Sequence, residues 1–385
     1  MLSEFHPLDR SMEASRISSI LHFCAPNRSR SLLSGHSMSF SFSSSAPVSG
    51  FPLRLKLRQD STQKRSFCFA SGSQKMDELT CSSKQTAGSF FRSVLSSMEK
   101  DYLSRNPTAK AILDLVRVHD GDHICYDHFA FRTFGIDGHG IDSMANFFRE
   151  FGYTQRDELR FPAKKLKALW FSPPDILQSG NGTGIDGPLP RIFISELLVD
   201  EMSSKAQEII RKYTKVSGDA SKHAALASAL GCLTWEKPSY SDYQELSRES
   251  EYAAWTLVNG YALNHATIST HRLRSAIRDI HSLNKFIEDS GFKLNSEGGV
   301  LKVSPDGLLL QSSTVADSTA FHFADGTIET VPCCYIEFAE RLVLAPYKSL
   351  PEEEIKEFHR RDGFEVGNAD KIFESTSKDQ LSMKG

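Results

Sequence analysis

The chain has 385 residues, with 45 Lys and Arg against 48 Asp and Glu, a formal charge of −3 at pH 7. Apolar residues make up 39% and charged residues 24%, which suits one large or two small folded domains and excludes a collagen, a coiled coil and a chain that stays mostly unfolded. No stretch approaches the ~18 consecutive apolar residues of a membrane span, and the charge lacks the concentrated basic face that nucleic-acid binding demands.

That charge is unevenly placed. Residues 1–75 carry 10 Lys and Arg, only 4 acids and 19 serines, with no acid from Ala14 to Gln59. A serine-rich, basic, acid-poor leader has the composition of an organellar transit peptide, and it buries too little apolar surface to fold. The dominance of serine, without an arginine-studded amphipathic helix, points to a plastid. Residues 1–72 are assigned to this peptide, and Met38-Ser-Phe-Ser offers a second start inside it. Seven cysteines, none in a Cys-x-x-Cys pair, fit free thiols in a reducing compartment.

Helical spacing begins with Phe90, Phe91, Val94, Leu95, Met98 and Leu103, and predicts helices over 76–116. His128–Phe134 alternates like a strand. Ile141–Phe151 reads as an amphipathic helix stopped at Gly152, and strands are expected at Tyr153–Phe161, Lys167–Phe171 and Arg191–Val199. A helical insert follows over about 203–258. Then the first pattern returns: a strand at Tyr261–Ser269, a helix over Leu273–Ser290, and strands at Lys293–Val303, Leu308–Val315 and Cys333–Val343. A last helix is expected from Ser349, and the polar tail 377–385 is expected to be loose.

The order strand, helix, three strands therefore occurs twice, over about 120–200 and 260–345. This makes an α+β fold of two βαβββ units. Such units pair their sheets into a half-open barrel whose inner face can hold a metal.

Several motifs are missing: Gly-x-x-x-x-Gly-Lys-[Ser/Thr], His-Glu-x-x-His, Gly-x-Ser-x-Gly, and any His-x-Asp/Glu pair. Gly180–Gly187 mimics a dinucleotide loop, but Pro188 and Pro190 follow it where a helix should start. The positive signals lie on strands. His128 and Arg132 share a face, where they serve either as a metal ligand beside a carboxylate-binding cation or as a satisfied histidine beside an ion-paired arginine. His265 shares a face with Thr267 and Ser269. Glu337 sits in an apolar strand and needs a partner, which is either Arg341 or a metal. Two histidines and a carboxylate make a facial triad that suits Fe(II), Mn(II) or Zn(II) and leaves three positions open. His119, His123, His322 and Glu196 rank below these three, Glu196 as the first-unit counterpart of Glu337.

His128-Phe-Ala-Phe-Arg132, Asn264-His265, Tyr335-Ile-Glu337-Phe-Ala-Glu-Arg341 and Val366-Gly-Asn-Ala-Asp-Lys-Ile-Phe-Glu-Ser375 resemble the 2-oxoadipate dioxygenase/decarboxylase family in its plant plastid form, an offshoot of the vicinal oxygen chelate fold. The resemblance spans about residues 85–376 and implies that 73–376 form a catalytic domain. It implies an Fe(II) enzyme whose metal is held by His128, His265 and Glu337. Arg132 would pair with a substrate carboxylate and the backbone near Val366 would touch the substrate. The implied reaction takes 2-oxoadipate and O₂ to (R)-2-hydroxyglutarate and CO₂ in lysine breakdown. Two other readings keep the residues: a metal-dependent isomerase or lyase of the same fold, and a plastid protein that binds a small acid without turnover.

Overall fold

The computed structural model of the chain describes residues 73–174, 182–215 and 223–382, with side chains from Gly88 onward. The leader 1–72, residues 175–181 and 216–222 and the last three residues lie outside the described residues.

Helices α1 (Ser73–Arg105) and α2 (Pro107–Asp120) come first. Asn106 caps α2 by accepting from the Ala109 N–H. The first unit is β1 (Tyr126–Phe134), α3 (Ile141–Glu150), β2 (Thr154–Phe161), β3 (Leu166–Ser172) and β4 (Arg191–Leu197). Four helices follow: α4 (Ser204–Thr214), α5 (Ala224–Leu230), α6 (Tyr240–Glu249) and α7 (Glu251–Asn259). The second unit is β5 (Leu263–Ser269), α8 (Ile280–Asp289), β6 (Lys302–Val303), β7 (Leu309–Ser313) and β10 (Tyr335–Arg341), interrupted by the hairpin β8 (Ser318–His322) and β9 (Ile328–Pro332). Helices α9 (Val366–Ile372) and α10 (Lys378–Ser382) close the chain.

The units form one eight-stranded sheet in the order β2-β3-β4-β1-β5-β10-β7-β6. Each unit has its first strand parallel to its last, and the two first strands pair antiparallel at the centre. The internal repeat expected from the sequence is therefore present as topology. All nine residues of β1 and all seven of β5 are buried, because central strands are covered on both faces. On α1, Phe91, Leu95, Met98 and Tyr102 recur at helical spacing and are buried. The Tyr102 hydroxyl donates to the Tyr335 carbonyl at 2.6 Å, joining α1 to β10.

Several elements differ from expectation. The helix expected over Leu273–Ser290 begins only at Ile280, where Asp279 accepts from the Ser282 N–H as its cap. The strand expected over Lys293–Val303 shrinks to Lys302–Val303, because Gly298 and Gly299 both turn at positive φ. No α-helix starts at Ser349. Glu352–Glu354 and Glu357–His359 are single 3₁₀ turns, since Glu352, Glu353 and Glu354 are exposed and offer no apolar stripe to bury. The tail is ordered through Ser382: Gln380 is buried and accepts from the Ser296 N–H at 3.1 Å. Within the expected helical insert, α6 and α7 are separated at Ser250, which caps α7 by accepting from the Ala253 N–H.

Candidate metal centre

The three side chains singled out on strands meet at the centre of the sheet. His265 Nε2 lies 3.1 Å from Glu337 Oε2, His128 Nε2 lies 3.6 Å from the same oxygen, and the two Nε2 atoms are 3.4 Å apart. All three residues are buried, and theirs is the only such cluster of metal-ligating groups among the described residues. His128 comes from β1, His265 from β5 and Glu337 from β10, so both units contribute.

Each histidine is aimed by the residue just before it. His128 Nδ1 bonds Asp127 Oδ1 at 2.8 Å, and His265 Nδ1 bonds Asn264 Oδ1 at 2.9 Å. Adjacent strand residues normally face opposite ways. Here the β1–β5 register shifts twice, once between Tyr126 and His128 and once between Ala130 and Phe131. Asp127 and Asn264 are the extra residues at these shifts. Each bulge lets a side chain turn back onto the following imidazole. With Nδ1–H engaged, Nε2 keeps its lone pair for the shared point.

Glu337 is oriented from its far side. Gln311 on β7 donates to Oε1 at 2.6 Å, and Asn368 on α9 donates to the Gln311 amide oxygen at 3.0 Å. Arg341 does not pair with Glu337. It forks onto Asp127 at 2.6 and 2.9 Å. Burial would raise the Glu337 carboxyl, but the imidazoles beside it bring it down to about 2. Burial brings His265 down to about 4, against the pull of Glu337. Burial also opposes a charge on His128, but Glu337 and Asp127 together raise it. Arg341 and Arg191 hold Asp127 well below the usual carboxylate range despite its burial.

The position related to Glu337 by the repeat is Phe193, not Glu196. Glu337 faces Thr267, two residues past His265, while Phe193 faces Ala130, two residues past His128. The true counterpart of Glu196 is Glu340. Glu196 accepts from the Ile141 N–H at 2.8 Å and Glu340 from the Ile280 N–H at 2.9 Å, so each holds the start of its own unit's helix. A Cβ at Gly140 would come 2.5 Å from the Glu196 carboxylate, so any larger residue there would make that carboxylate shift. The Thr267 hydroxyl also reaches the centre, 3.0 Å from His128 Nε2, and aromatic rings pack around His128: Phe193 lies 5.0 Å from Phe364, which packs 4.8 Å from the His128 ring.

Arg132 is buried and walled by Tyr252, Trp255 and Phe373, with its guanidinium 4.9–5.7 Å from the ring centroids. Its polar contact to the Phe373 carbonyl is long, at 3.4 Å, and its Nε has no hydrogen-bond partner. A cleft of about 240 Å³ reaches it from the surface, between Lys164, Lys165, Tyr252 and Thr376. Val366 is 39% exposed at the first turn of α9; its neighbours Phe364 and Asn368 are the ones that reach inward. The lower-ranked candidates lie elsewhere. His119 is in the last turn of α2 rather than in a loop and packs on Phe286, His123 bonds the Asp120 carbonyl, and His322 is exposed on the hairpin. Cys333 and Cys334 are buried free thiols.

Sequence reasoning missed Asp127, Gln311, Phe364 and Asn368 as parts of the site. A polar residue directly before each histidine was a usable signal. The other three come from distant strands and helices and carry none.

Two imidazoles and a carboxylate, with their free donor atoms converging on one point and their rear atoms already bonded, fit a divalent transition metal.

Comparison with known proteins gives a consistent picture. A family model described as 2-oxoadipate dioxygenase/decarboxylase matches residues 94–354. A rice (Oryza sativa subsp. japonica) protein named chloroplastic/amyloplastic 2-oxoadipate dioxygenase/decarboxylase is 66% identical over 341 residues, covering 88% of this chain and 93% of the rice protein. An Arabidopsis thaliana protein named as the chloroplastic form is 66% identical, covering 79% of this chain and 82% of its own length. A crystal structure of hydroxyglutarate synthase from Oryza sativa in complex with 2-oxoadipate superposes with a TM-score of 0.76 at 73% identity, over 77% of this chain and 95% of that one. A glyoxalase superfamily protein from Ralstonia eutropha JMP134, at 20% identity and a TM-score of 0.55, shares the fold.

Proposed function

The chain belongs to the 2-oxoadipate dioxygenase/decarboxylase family, and from that premise we propose that His128, His265 and Glu337 hold an Fe(II) ion at which 2-oxoadipate and O₂ become (R)-2-hydroxyglutarate and CO₂. The protein is an enzyme of the plastid, as its chloroplastic and amyloplastic relatives are. The observation that carries the site assignment is the convergence of the three donor atoms within 4.8 Å of one another in a buried centre.

Bound iron would supply a Lewis acid for the 1-carboxylate and 2-oxo group and a one-electron partner for O₂. The chain's own residues do the rest. Asp127 and Asn264 fix both imidazoles by their Nδ1 atoms. Gln311 holds Glu337 by Oε1 so that Oε2 faces the histidines. Phe364 packs on the His128 ring and on Phe193, which shields that imidazole from one side. Arg132, a buried cation without a carboxylate partner among the described residues, pairs with a carboxylate of the substrate. The backbone near Val366 borders the substrate. The net reaction consumes one O₂, releases one CO₂ and leaves a five-carbon hydroxy diacid, a step suited to lysine breakdown. Residues 1–72 are the plastid transit peptide and 73–376 the catalytic domain.

Metal analysis of His128→Ala, His265→Ala and Glu337→Ala, with turnover of 2-oxoadipate, tests this reading. Each variant should lose iron and activity together. A variant that keeps wild-type iron and turnover would remove that residue from the centre.

A further inference from the structure

We propose that Tyr335 is a substrate-binding residue: its hydroxyl and the Arg132 guanidinium together hold the distal carboxylate of the 2-oxo diacid, which makes Tyr335 a determinant of diacid specificity. This rests on the reading above and names the subsite that the reading leaves open.

The case begins with unsatisfied atoms. Tyr335 is fully buried, and apart from the Arg132 guanidinium, which can only donate, nothing meets its hydroxyl, so the hydroxyl proton has no acceptor. A core tyrosine normally finds one. Its carbonyl is already engaged by Tyr102, so the residue's backbone is satisfied and its hydroxyl is not. Arg132 is in the same condition: buried, without an ion pair among the described residues, and with Nε unpartnered. A buried phenol proton without an acceptor, beside a buried guanidinium whose one hydrogen bond is long and whose Nε is unpartnered, calls for an anion, because burying such groups unpaired is costly.

Their placement says which anion. Tyr335 precedes Glu337 by two residues on β10, so both lie on one face of the strand. Its ring stacks on His265, with centroids 4.6 Å apart and planes at 26°. The phenol oxygen lies within reach of the Arg132 guanidinium, so the two groups can meet one ligand together. The order along the wall is Glu337, His265, Tyr335, Arg132. A diacid chelated at the triad by one end extends past His265 and brings its other carboxylate to the two donors. Tyr252, Trp255 and Phe373 exclude water around Arg132. A methyl group at that end would leave both donors bare, the situation in which a hydrogen-bonding site discriminates strongly.

The test compares two ligands on the iron-loaded enzyme without oxygen: 2-oxoadipate and 2-oxohexanoate, which has the same chain length but ends in a methyl group. Tyr335→Phe should raise the Kd for 2-oxoadipate roughly 10- to 100-fold, raise KM more than it lowers kcat, and leave iron content and 2-oxohexanoate binding unchanged. Arg132→Gln, with Tyr335 intact, should show the same loss for the diacid alone. Equal weakening of both ligands, or loss of iron, would place Tyr335 behind His265 as a support and overturn the proposal. So would unchanged diacid binding. If wild-type enzyme with bound iron fails to bind 2-oxoadipate, the proposed function falls first and takes this subsite with it.

Discussion

Gln311 Nε2 donates to Oε1 of Glu337 at 2.6 Å, which leaves the other carboxylate oxygen facing His265 at 3.1 Å. One neutral side chain thereby decides which oxygen is offered to the metal. Gln311→Leu should keep the fold and lower iron affinity by roughly 10- to 100-fold, the range typical of losing a partner that orients a ligand. Competition with a calibrated chelator checks it. Unchanged affinity would show that Glu337 needs no such hold.

Asp127 serves the histidine and the fold together. It accepts from His128 Nδ1 and forks with fully buried Arg341, whose guanidinium also bonds the Gly363 carbonyl. Asp127→Ala strands that cation and should cost about 3–5 kcal/mol, read by chemical denaturation of the metal-free protein. A loss under about 1 kcal/mol would mean that Arg341 finds another partner.

Arg132→Ala should retain iron and weaken 2-oxoadipate binding by about 2–5 kcal/mol if it pairs with a buried carboxylate. Iron content and KM measured on one preparation separate the two effects. Wild-type KM in this variant would end the assignment of Arg132 to substrate.

Lys302 supplies a pH test that is read on stability rather than on turnover. It is buried on β6, and burial brings its ammonium down to about 8, against the pull of Glu337. The unfolded chain therefore holds more protons between about pH 8 and the ordinary lysine value, so folding stability attributable to Lys302 rises with pH across that window. The slope is at most about 1.4 kcal/mol per pH unit. In Lys302→Met, that rise should vanish from denaturation curves taken at successive pH values. An identical slope in both proteins would contradict it.

The sequence carried the outline of the fold and the inward placing of His128, His265 and Glu337, which the structure brings together, because both obey local rules. Strand alternation put His128, His265 and Glu337 on inward faces, and the repeated element order showed two units. What it could not carry depends on register. The bulges at Asp127 and Asn264 exist only in the pairing of β1 with β5. The same limit misassigned Glu196, since alike-looking strand sequences do not fix which residues stand opposite each other; the pairings put Phe193 there. The hairpin at Ser318–Pro332 and the short helix α9 were missed because neither has the length or periodicity that marks an element.

The most direct measurement is oxygen uptake by the iron-loaded enzyme given 2-oxoadipate, with CO₂ and the chiral hydroxy acid quantified in the same vessel. The account predicts one O₂ consumed for each CO₂ released and each (R)-2-hydroxyglutarate formed, with no second 2-oxo acid required. No uptake with iron demonstrably bound, or product formed without oxygen, would contradict it.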